Sequence, residues 1–278
     1  MDFLEYFSKI NKGFKNNHKG DVEYLTIPSF DEAGGIVHCF TTRKSGVSKG
    51  GFSSLNFSFG REKNQKNIIQ NFKIISDTLG VPYKDIVLDN YGHTPNVLLA
   101  EEKMRGKGVY NNSDLPTCDG LATITKNLPL VTLHADCAPI FFYDKIKKAG
   151  CVCHAGWRGV VGGIVKNALD IMTKELNCNI DDILIGVGPC IRKCCFEIKS
   201  DLEKIFKEEF GDFSVEYKDD KIYGDIEKGI VQSFYKYGIP AKNVTCAFEC
   251  TYCNEVKYFS FRRQGKDGGA MASVLMII

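Results

Sequence analysis

The chain has 278 residues, a mass of 31.1 kDa and a formal net charge of +2, with 44% hydrophobic and 25% charged residues. This composition is typical of a globular protein with a full hydrophobic core. Its basic residues are scattered, so we expect no nucleic-acid partner. No apolar run reaches the roughly 20 residues that a membrane helix needs, so we expect no membrane partner.

The predicted elements are short apolar strands and a few amphipathic helices. Residues 1–20 are polar after a short apolar start, and we interpret them as a loosely docked arm before one domain over 21–278. Apolar runs predict strands at 22–27, 36–42, 86–88, 97–100, 128–133, 138–143, 151–153, 183–187 and 257–261. Apolar residues at helical spacing predict helices over 64–79, 201–210 and 225–237, and another that begins just after Gly159.

Twelve cysteines in a chain of this length, without a recognisable signal peptide, predict reduced thiols and a cytoplasmic location. Two pairs stand out, the adjacent Cys194 and Cys195 and the CxxC of Cys250 and Cys253. A zinc ribbon needs two CxxC knuckles, and the chain has one. The sequence therefore argues against a zinc site with four cysteine ligands.

The stretch VTLHADCAPIFFYDKIKKAGCVCHAGWRG, from Val131 to Gly159, carries the strongest chemical signal. Cys137 follows one predicted strand and lies on a bend, whereas His154 ends another and precedes a glycine-rich turn. A lone Cys or His is most often a buried structural residue. Two of them at strand ends, followed by a helix start suited to an anion, indicate a pocket.

His93 lies in the loop segment YGHTPN between two short strands, so its side chain needs no partner in the core. Two imidazoles and one thiolate, from His93, Cys137 and His154, would leave a fourth tetrahedral position open. That is the pattern of catalytic zinc, and it is also the core of a copper site. A multicopper centre needs many imidazoles, and this chain has five histidines.

Six segments together resemble the polyphenol oxidase or laccase-domain family, whose members act as zinc-dependent purine nucleoside phosphorylases with adenosine deaminase activity. They are HCFTTRKSGVSKGGFSSLN, GHTPNV, HADCAPI, AGCVCHAGWRG, GPCIRKCCFE and FSFRR, and they run from about His38 to the C-terminus. The resemblance implies a single α/β/β/α layered domain of the cysteine-hydrolase type. It also implies that His93, Cys137 and His154 hold the metal.

The same resemblance implies that Arg43 and Asn56 approach a purine nucleoside. Phosphorolysis also requires a phosphate site, and guanidinium groups bind phosphate through two parallel hydrogen bonds. Arg43 and Arg158 are our candidates for that site, with Arg262 and Arg263 as further ones. Asp136, adjacent to Cys137, is the expected proton carrier for deamination, although an Asp at a turn often only stabilises the turn.

Several alternatives stay open from the sequence. A copper-dependent polyphenol oxidase would use the same ligands, and Cu²⁺ could replace Zn²⁺ in them. A metal-free hydrolase would use Cys137 as a thiolate paired with His154. A zinc-stabilised binding protein would have no activity, and the oligomeric state is unknown.

Overall fold

The computed structural model describes all 278 residues, which form two large sheets, one small sheet and eight helices. The strands are β1 (Asn11–Lys12), β2 (Lys15–Lys19), β3 (Val22–Thr26), β4 (Ile36–Thr41), β5 (Val87–Leu88), β6 (Val97–Leu99), β7 (Gly120–Thr123), β8 (Leu130–His134), β9 (Ala138–Asp144), β10 (Ala149–Ala155), β11 (Ile183–Val187), β12 (Glu197–Ile198), β13 (Val215–Lys218), β14 (Lys221–Gly224), β15 (Val244–Cys246) and β16 (Met271–Ile277). One large sheet has the order β1-β15-β11-β9-β10-β7-β6, and the other has the order β2-β3-β4-β16-β8-β5.

The helices are α1 (Phe3–Ser8), α2 (Pro28–Ala33), α3 (Gln65–Leu79), α4 (Trp157–Val161), α5 (Ile164–Asp170), α6 (Ser200–Phe210), α7 (Ile226–Tyr237) and α8 (Phe261–Gln264). The long helices α3, α6 and α7 lie where apolar spacing predicts them. Gly80 and Gly238 end α3 and α7 in the left-handed conformation that glycine adopts most easily. None of the helices is long and apolar enough to cross a membrane.

Side-chain alternation along the strands builds three separate core clusters. In β9, Ile140 and Phe142 pack on the side of α5 and α7, whereas Phe141 and Tyr143 face the second sheet. The six-stranded sheet packs its other face against α3 through residues such as Phe72. The order of layers is therefore helix, sheet, sheet, helix, and the predicted mixed α/β class is confirmed.

The pairing directions bring many loops to one end of the two sheets. The chain crosses between the two large sheets three times at this end, from β5 to β6, from β8 to β9 and from β15 to β16. Strand β10 runs antiparallel to β9 and therefore finishes there. Strands β11 and β15, parallel to each other and antiparallel to β9, also finish there, and β16 begins there.

The first twenty residues differ from the loosely docked arm that we expect from their composition. Phe3 and Tyr6 of α1 are buried in the largest core cluster, where the Phe3 ring stacks on Phe213 at 4.5 Å. Strand β1 pairs with β15, and β2 pairs with β3. The expectation is wrong because four apolar or aromatic residues of this segment are buried and anchor it, namely Phe3, Tyr6, Ile10 and Phe14, whereas its lysines are exposed.

Two other elements also differ from the prediction. Residues 257–261 form no strand, and the last strand is β16, which lies in the middle of the six-stranded sheet. The helix after β10 begins at Trp157, earlier than expected, because Gly156 already takes the extended N-cap conformation. It breaks at Gly162 and Gly163 and resumes as α5.

Candidate metal centre and active site

Three side chains meet at the loop end of the sheets: His93, Cys137 and His154. One ligand atom from each lies within 4.8 Å of the others. His93 comes from the β5–β6 crossing, Cys137 from the β8–β9 crossing, and His154 from the end of β10. The topology therefore unites the three residues that the sequence singles out.

Asp119 organises two of these three side chains, His93 and His154. The carboxylate is fully buried and accepts a hydrogen bond of 2.8 Å from Nδ1 of His154, so Nε2 of that ring faces the centre. It also accepts the backbone N–H groups of Gly92, His93 and Thr94 at 2.7–3.0 Å. These bonds hold the loop in which His93 has a φ of +60°.

Gly156 gives the ligands room to approach. A Cβ atom at this position would lie 3.0 Å from Sγ of Cys137 and 3.0 Å from Cδ2 of His93. Both distances are shorter than nearly all real Cβ contacts. The glycine after β10 therefore leaves room for Cys137 and His93 to approach each other, and it also precedes α4 directly.

The corner that carries Cys137 is held by side chains on both sides. His134 is buried, and its ring contacts the Cys137 carbonyl at 3.2 Å through Nδ1 and the Thr132 hydroxyl at 2.8 Å through Nε2. Burial lowers the pKa of His134, and so does the neighbouring His154, so the ring is neutral. A neutral ring donates from Nδ1 and accepts at Nε2, which satisfies both contacts.

Asp136 has a φ of +90° and lines the cavity in front of the centre. Its carboxylate accepts hydrogen bonds from the hydroxyls of Thr251 and Ser260, at 2.7 and 2.9 Å, and from the backbone N–H of Arg262 at 2.6 Å. Asp136 thus ties the metal corner to the segment that precedes β16. All three donors are more than 100 residues away in sequence, so these contacts join distant segments rather than a local turn.

The centre favours a thiolate. Burial alone would raise the pKa of Cys137, but the imidazoles of His154 and His93 outweigh it and lower that pKa to about 6. Burial would likewise lower the pKa of His154, yet the Cys137 sulfur and Asp119 raise it well above its usual value. A deprotonated sulfur is the form that binds metal or attacks an electrophile.

A cavity of about 350 Å³ opens in front of the centre, within the range of small-molecule sites. Its wall includes all three ligands, Asp136 and several aromatic side chains. Three arginines also line it, namely Arg61, Arg158 and Arg262. The aromatic residues are Tyr91, Trp157, Phe196 and Phe261.

Each of the three cavity arginines lies over an aromatic ring, at 4.3–5.4 Å from guanidinium carbon to ring centroid. The arginine ion pairs of this chain involve Arg105 and Arg192 instead. The cavity guanidinium groups are thus held by stacking and by backbone carbonyls, without a carboxylate to neutralise them. Such a wall is suited to an anion.

Arg43 and Asn56 do not line this cavity. Arg43 lies beside a second, open depression, where its guanidinium donates to the carbonyls of Ser53 and Glu255. Asn56 is fully buried and its amide oxygen accepts from Ser58 and Ala270. The polar groups of both residues hold loops, and their approach to a purine nucleoside stays a prediction.

Arg61 is the cavity residue that sequence reasoning missed. It stands in a turn before α3, and its guanidinium reaches the carbonyls of Gly268 and Gly269, more than 200 residues away. Nothing local in the sequence indicates that contact. The turn-rich loop between β4 and α3 indicates a site near this part of the chain, but its sequence points to Arg43 rather than to Arg61.

The donor set fits a metal ion held by two imidazoles and one thiolate. The orienting carboxylate behind His154, the lowered pKa of Cys137 and the space left by Gly156 all serve such an ion. His134 is excluded as a further ligand because both its ring nitrogens are engaged. His93, Cys137 and His154 could thus hold one metal ion, with an open coordination position on the side of the cavity.

Comparison of this chain with known proteins shows which family it resembles. The model of a family described as multi-copper polyphenol oxidoreductase laccase matches residues 37–278. A purine nucleoside phosphorylase of Clostridium acetobutylicum is 31% identical over 226 residues, which cover 81% of this chain and 88% of that protein. A purine nucleoside phosphorylase of Mus musculus is 27% identical over 266 residues, which cover 93% of this chain but 59% of the longer mouse protein.

A solved structure agrees with this grouping. The crystal structure of a hypothetical protein of Bacillus licheniformis superposes with a TM-score of 0.88 at 26% identity, covering 95% of this chain and 99% of the other. The match therefore extends over the whole layered domain, including the ends of the sheets where the three ligands meet. The chain belongs to the multi-copper polyphenol oxidoreductase laccase family.

Proposed function

We propose that the chain is a zinc-dependent purine nucleoside phosphorylase. One observation carries the proposal: a three-ligand centre opens into a cavity whose wall has three guanidinium groups without carboxylate partners. A neutral nucleoside alone would not require such a wall, whereas phosphate would. The relatives named purine nucleoside phosphorylases support this choice of reaction.

Phosphorolysis breaks the bond between C1′ of the ribose and the purine nitrogen, and forms a bond from C1′ to a phosphate oxygen. The departing base takes up a proton, so the products are the free purine and ribose-1-phosphate. Arg61, Arg158 and Arg262 would hold the phosphate by charge-assisted hydrogen bonds. The rings of Tyr91 and Trp157 offer apolar faces on which a purine can stack.

His93, Cys137 and His154 would hold the zinc ion, which when bound supplies a Lewis acid beside the cavity. Asp119 keeps the His154 ring oriented, and Gly156 leaves space for the sulfur. Copper remains the alternative ion, as the family description suggests, because two imidazoles and a thiolate also suit it. Metal analysis of the purified protein distinguishes the two.

Deamination of adenosine is proposed as a side reaction of the same cavity. Zinc deaminases use a carboxylate that is not a metal ligand as their proton carrier. Asp136 is the one carboxylate among the cavity-lining residues, but its three hydrogen bonds commit both oxygens. We therefore rank deamination below phosphorolysis.

Product analysis tests the proposal. The zinc-loaded protein is incubated with adenosine, inosine, guanosine or methylthioadenosine, with and without phosphate, and the products are separated by chromatography. With adenosine and phosphate, adenine and ribose-1-phosphate should exceed inosine, and omission of phosphate should abolish adenine. Cys137→Ser should lose the activity, whereas Cys178→Ser, outside the centre, should keep it. Inosine as the main product would reverse the ranking of the two reactions.

A thiol hydrolase is the second candidate, and one observation favours it. Asp119, His154 and Cys137 form a chain of carboxylate, imidazole and thiol, in which the thiol has a pKa of about 6. Such an enzyme would need no metal. Activity that survives a strong chelator would support the hydrolase, and loss of activity with recovery on adding zinc would support the phosphorylase.

A further inference from the structure

Four cysteines outside the cavity meet on the surface at the ends of β11 and β15. Cys194 and Cys195 lie in the loop after β11, and Cys250 and Cys253 lie in the loop after β15. These two strands are parallel neighbours, so their following loops leave the sheet side by side. The bridge between Cys190 and Cys250 extends this pairing into the loops.

The four sulfur atoms are close enough to share one ion. All of them lie within 4.8 Å of one another, with Sγ of Cys253 at 3.3 Å from Cys195 and 3.6 Å from Cys194. A tetrahedral zinc ion with bonds of about 2.3 Å places its ligand sulfurs about 3.8 Å apart. The single CxxC understates the thiols available here, because the adjacent pair Cys194 and Cys195 supplies two more.

The surroundings also fit a bound ion. Cys194 and Cys253 are exposed, whereas most of the other cysteines are buried as small apolar residues. Packing in the core therefore does not account for Cys194 and Cys253.

We propose that Cys194, Cys195, Cys250 and Cys253 bind one structural zinc ion, separate from the centre in the cavity. With four thiolates the coordination is closed, as in structural zinc sites. The inference does not depend on the proposed activity, since the two sites share no residue.

The ion would join two loops that form one wall of the cavity. The first loop carries Ile191 and Phe196, which line the cavity, and the N–H of Ile191 donates to the Asp136 carbonyl at 2.8 Å. The second loop carries Thr251, whose hydroxyl binds the Asp136 carboxylate. Both loops therefore brace the corner that positions Cys137, and zinc would fix them to each other.

Metal content per chain tests the proposal. Untagged protein is purified under reducing conditions, and its zinc content is measured by inductively coupled plasma mass spectrometry. We expect two zinc ions in the wild type, one in Cys253→Ser, one in Cys137→Ser and none in the double variant. Cys178→Ser, a cysteine outside both groups, should retain two.

Cobalt substitution gives a readout that does not depend on activity. The intense absorption of a tetrathiolate cobalt site should vanish in Cys253→Ser and in Cys194→Ser, and should persist in Cys137→Ser. Because Cys194 and Cys253 are exposed, both variants should keep the wild-type circular dichroism spectrum. A lower melting temperature for each is the expected result of losing the ion.

The two proposals fail in distinguishable ways. Suppose that the wild type holds one zinc ion, which Cys253→Ser loses and Cys137→Ser keeps. That result would support the four-cysteine site and count against the centre in the cavity. Equal zinc in the wild type and Cys253→Ser would overturn it. A disulfide between Cys195 and Cys253 in the protein purified under reducing conditions, or iron in place of zinc, would also overturn it.

Discussion

Asp119 shows how one buried residue can place two ligands of a metal centre. Its carboxylate binds the ring of His154 and the backbone of the His93 loop. Burial alone would raise the pKa of this carboxyl, but the hydrogen bonds from His154 and from Thr94 and Gly92 outweigh it and lower the pKa. The residue is therefore an anion at neutral pH.

Asp119→Asn should weaken zinc binding at the His93, Cys137 and His154 centre by roughly 10- to 100-fold, as expected for loss of an orienting carboxylate. Both carboxylate oxygens of Asp119 accept hydrogen bonds from N–H groups. The side-chain NH₂ of an asparagine would replace one of these acceptors by a donor. Zinc affinity is measured by competition with a chelator in the Cys253→Ser background, which isolates this centre. Asp170→Asn, whose carboxylate binds surface lysines, is the control. Unchanged affinity in Asp119→Asn would refute the orienting role.

Local sequence was sufficient to find the three candidate ligands, but it did not identify the residues around them. His93, Cys137 and His154 each adjoin a turn, and side chains with ligand chemistry at such positions can be recognised without knowing the fold. Arg61 reaches the cavity through contacts with residues 268 and 269, and such pairing depends on where β16 lies. The same holds for Cys194 and Cys253, which meet because β11 and β15 are parallel neighbours.

At the scale of elements, α4 brings a charged side chain to the cavity from the turn after β10. Arg158 lies in its first turn, over the ring of Trp157 at 4.3 Å, and has no carboxylate partner. Arg43 is similarly stacked, at 4.4 Å over Phe259, but it lies outside the cavity. The two arginines thus form a matched pair for a test of the anion site.

Arg158→Ala should raise the KM for phosphate by roughly 10- to 100-fold, the value of one or two hydrogen bonds to a charged group. The kcat at saturating phosphate should change less, because the residue holds an ion rather than the departing base. Arg43→Ala should leave the KM for phosphate unchanged. Steady-state kinetics with inosine at varied phosphate gives both values. An equal effect of the two substitutions would place the anion elsewhere.

The N-terminal elements show why composition misjudges a segment. Lysine and asparagine dominate the first twenty residues, yet Phe3, Tyr6, Ile10 and Phe14 are buried. A strand of two residues, β1, then attaches the segment to the edge of the seven-stranded sheet. These few buried side chains hold the N-terminal segment against the domain, and the average polarity of the segment does not reveal them.

At the scale of the whole molecule, a buried histidine links stability to pH. Burial lowers the pKa of His38 to about 4, while Asp31 acts in the opposite direction. Its Nε2 accepts the backbone N–H of Ile27 at 2.8 Å, which requires that nitrogen to be unprotonated. In the unfolded chain the pKa returns to about 6.5, so protons bind preferentially to the unfolded state below that value.

The stabilising contribution of neutral His38 is therefore complete above about pH 6.5 and is lost as the pH falls toward 4. The difference of the two pKa values corresponds to about 3 kcal/mol of unfolding free energy. His38→Gln keeps an acceptor for Ile27 but does not titrate, so its stability should fall less over this range. Urea unfolding from pH 7 to pH 4.5 measures both proteins, and acid loss of metal affects them alike. Parallel curves would show that His38 does not contribute.

The position of β16 has a consequence for biosynthesis. This strand occupies residues 271–277 and lies between β4 and β8, so the six-stranded sheet cannot close until those residues have left the ribosome. Until β16 is synthesised, the edges of β4 and β8 that pair with it remain unpaired and their apolar faces are exposed. Such a state favours aggregation or chaperone binding. Strand β8 leads directly into the corner of Cys137, so the candidate metal centre can assemble only after β16 has been synthesised.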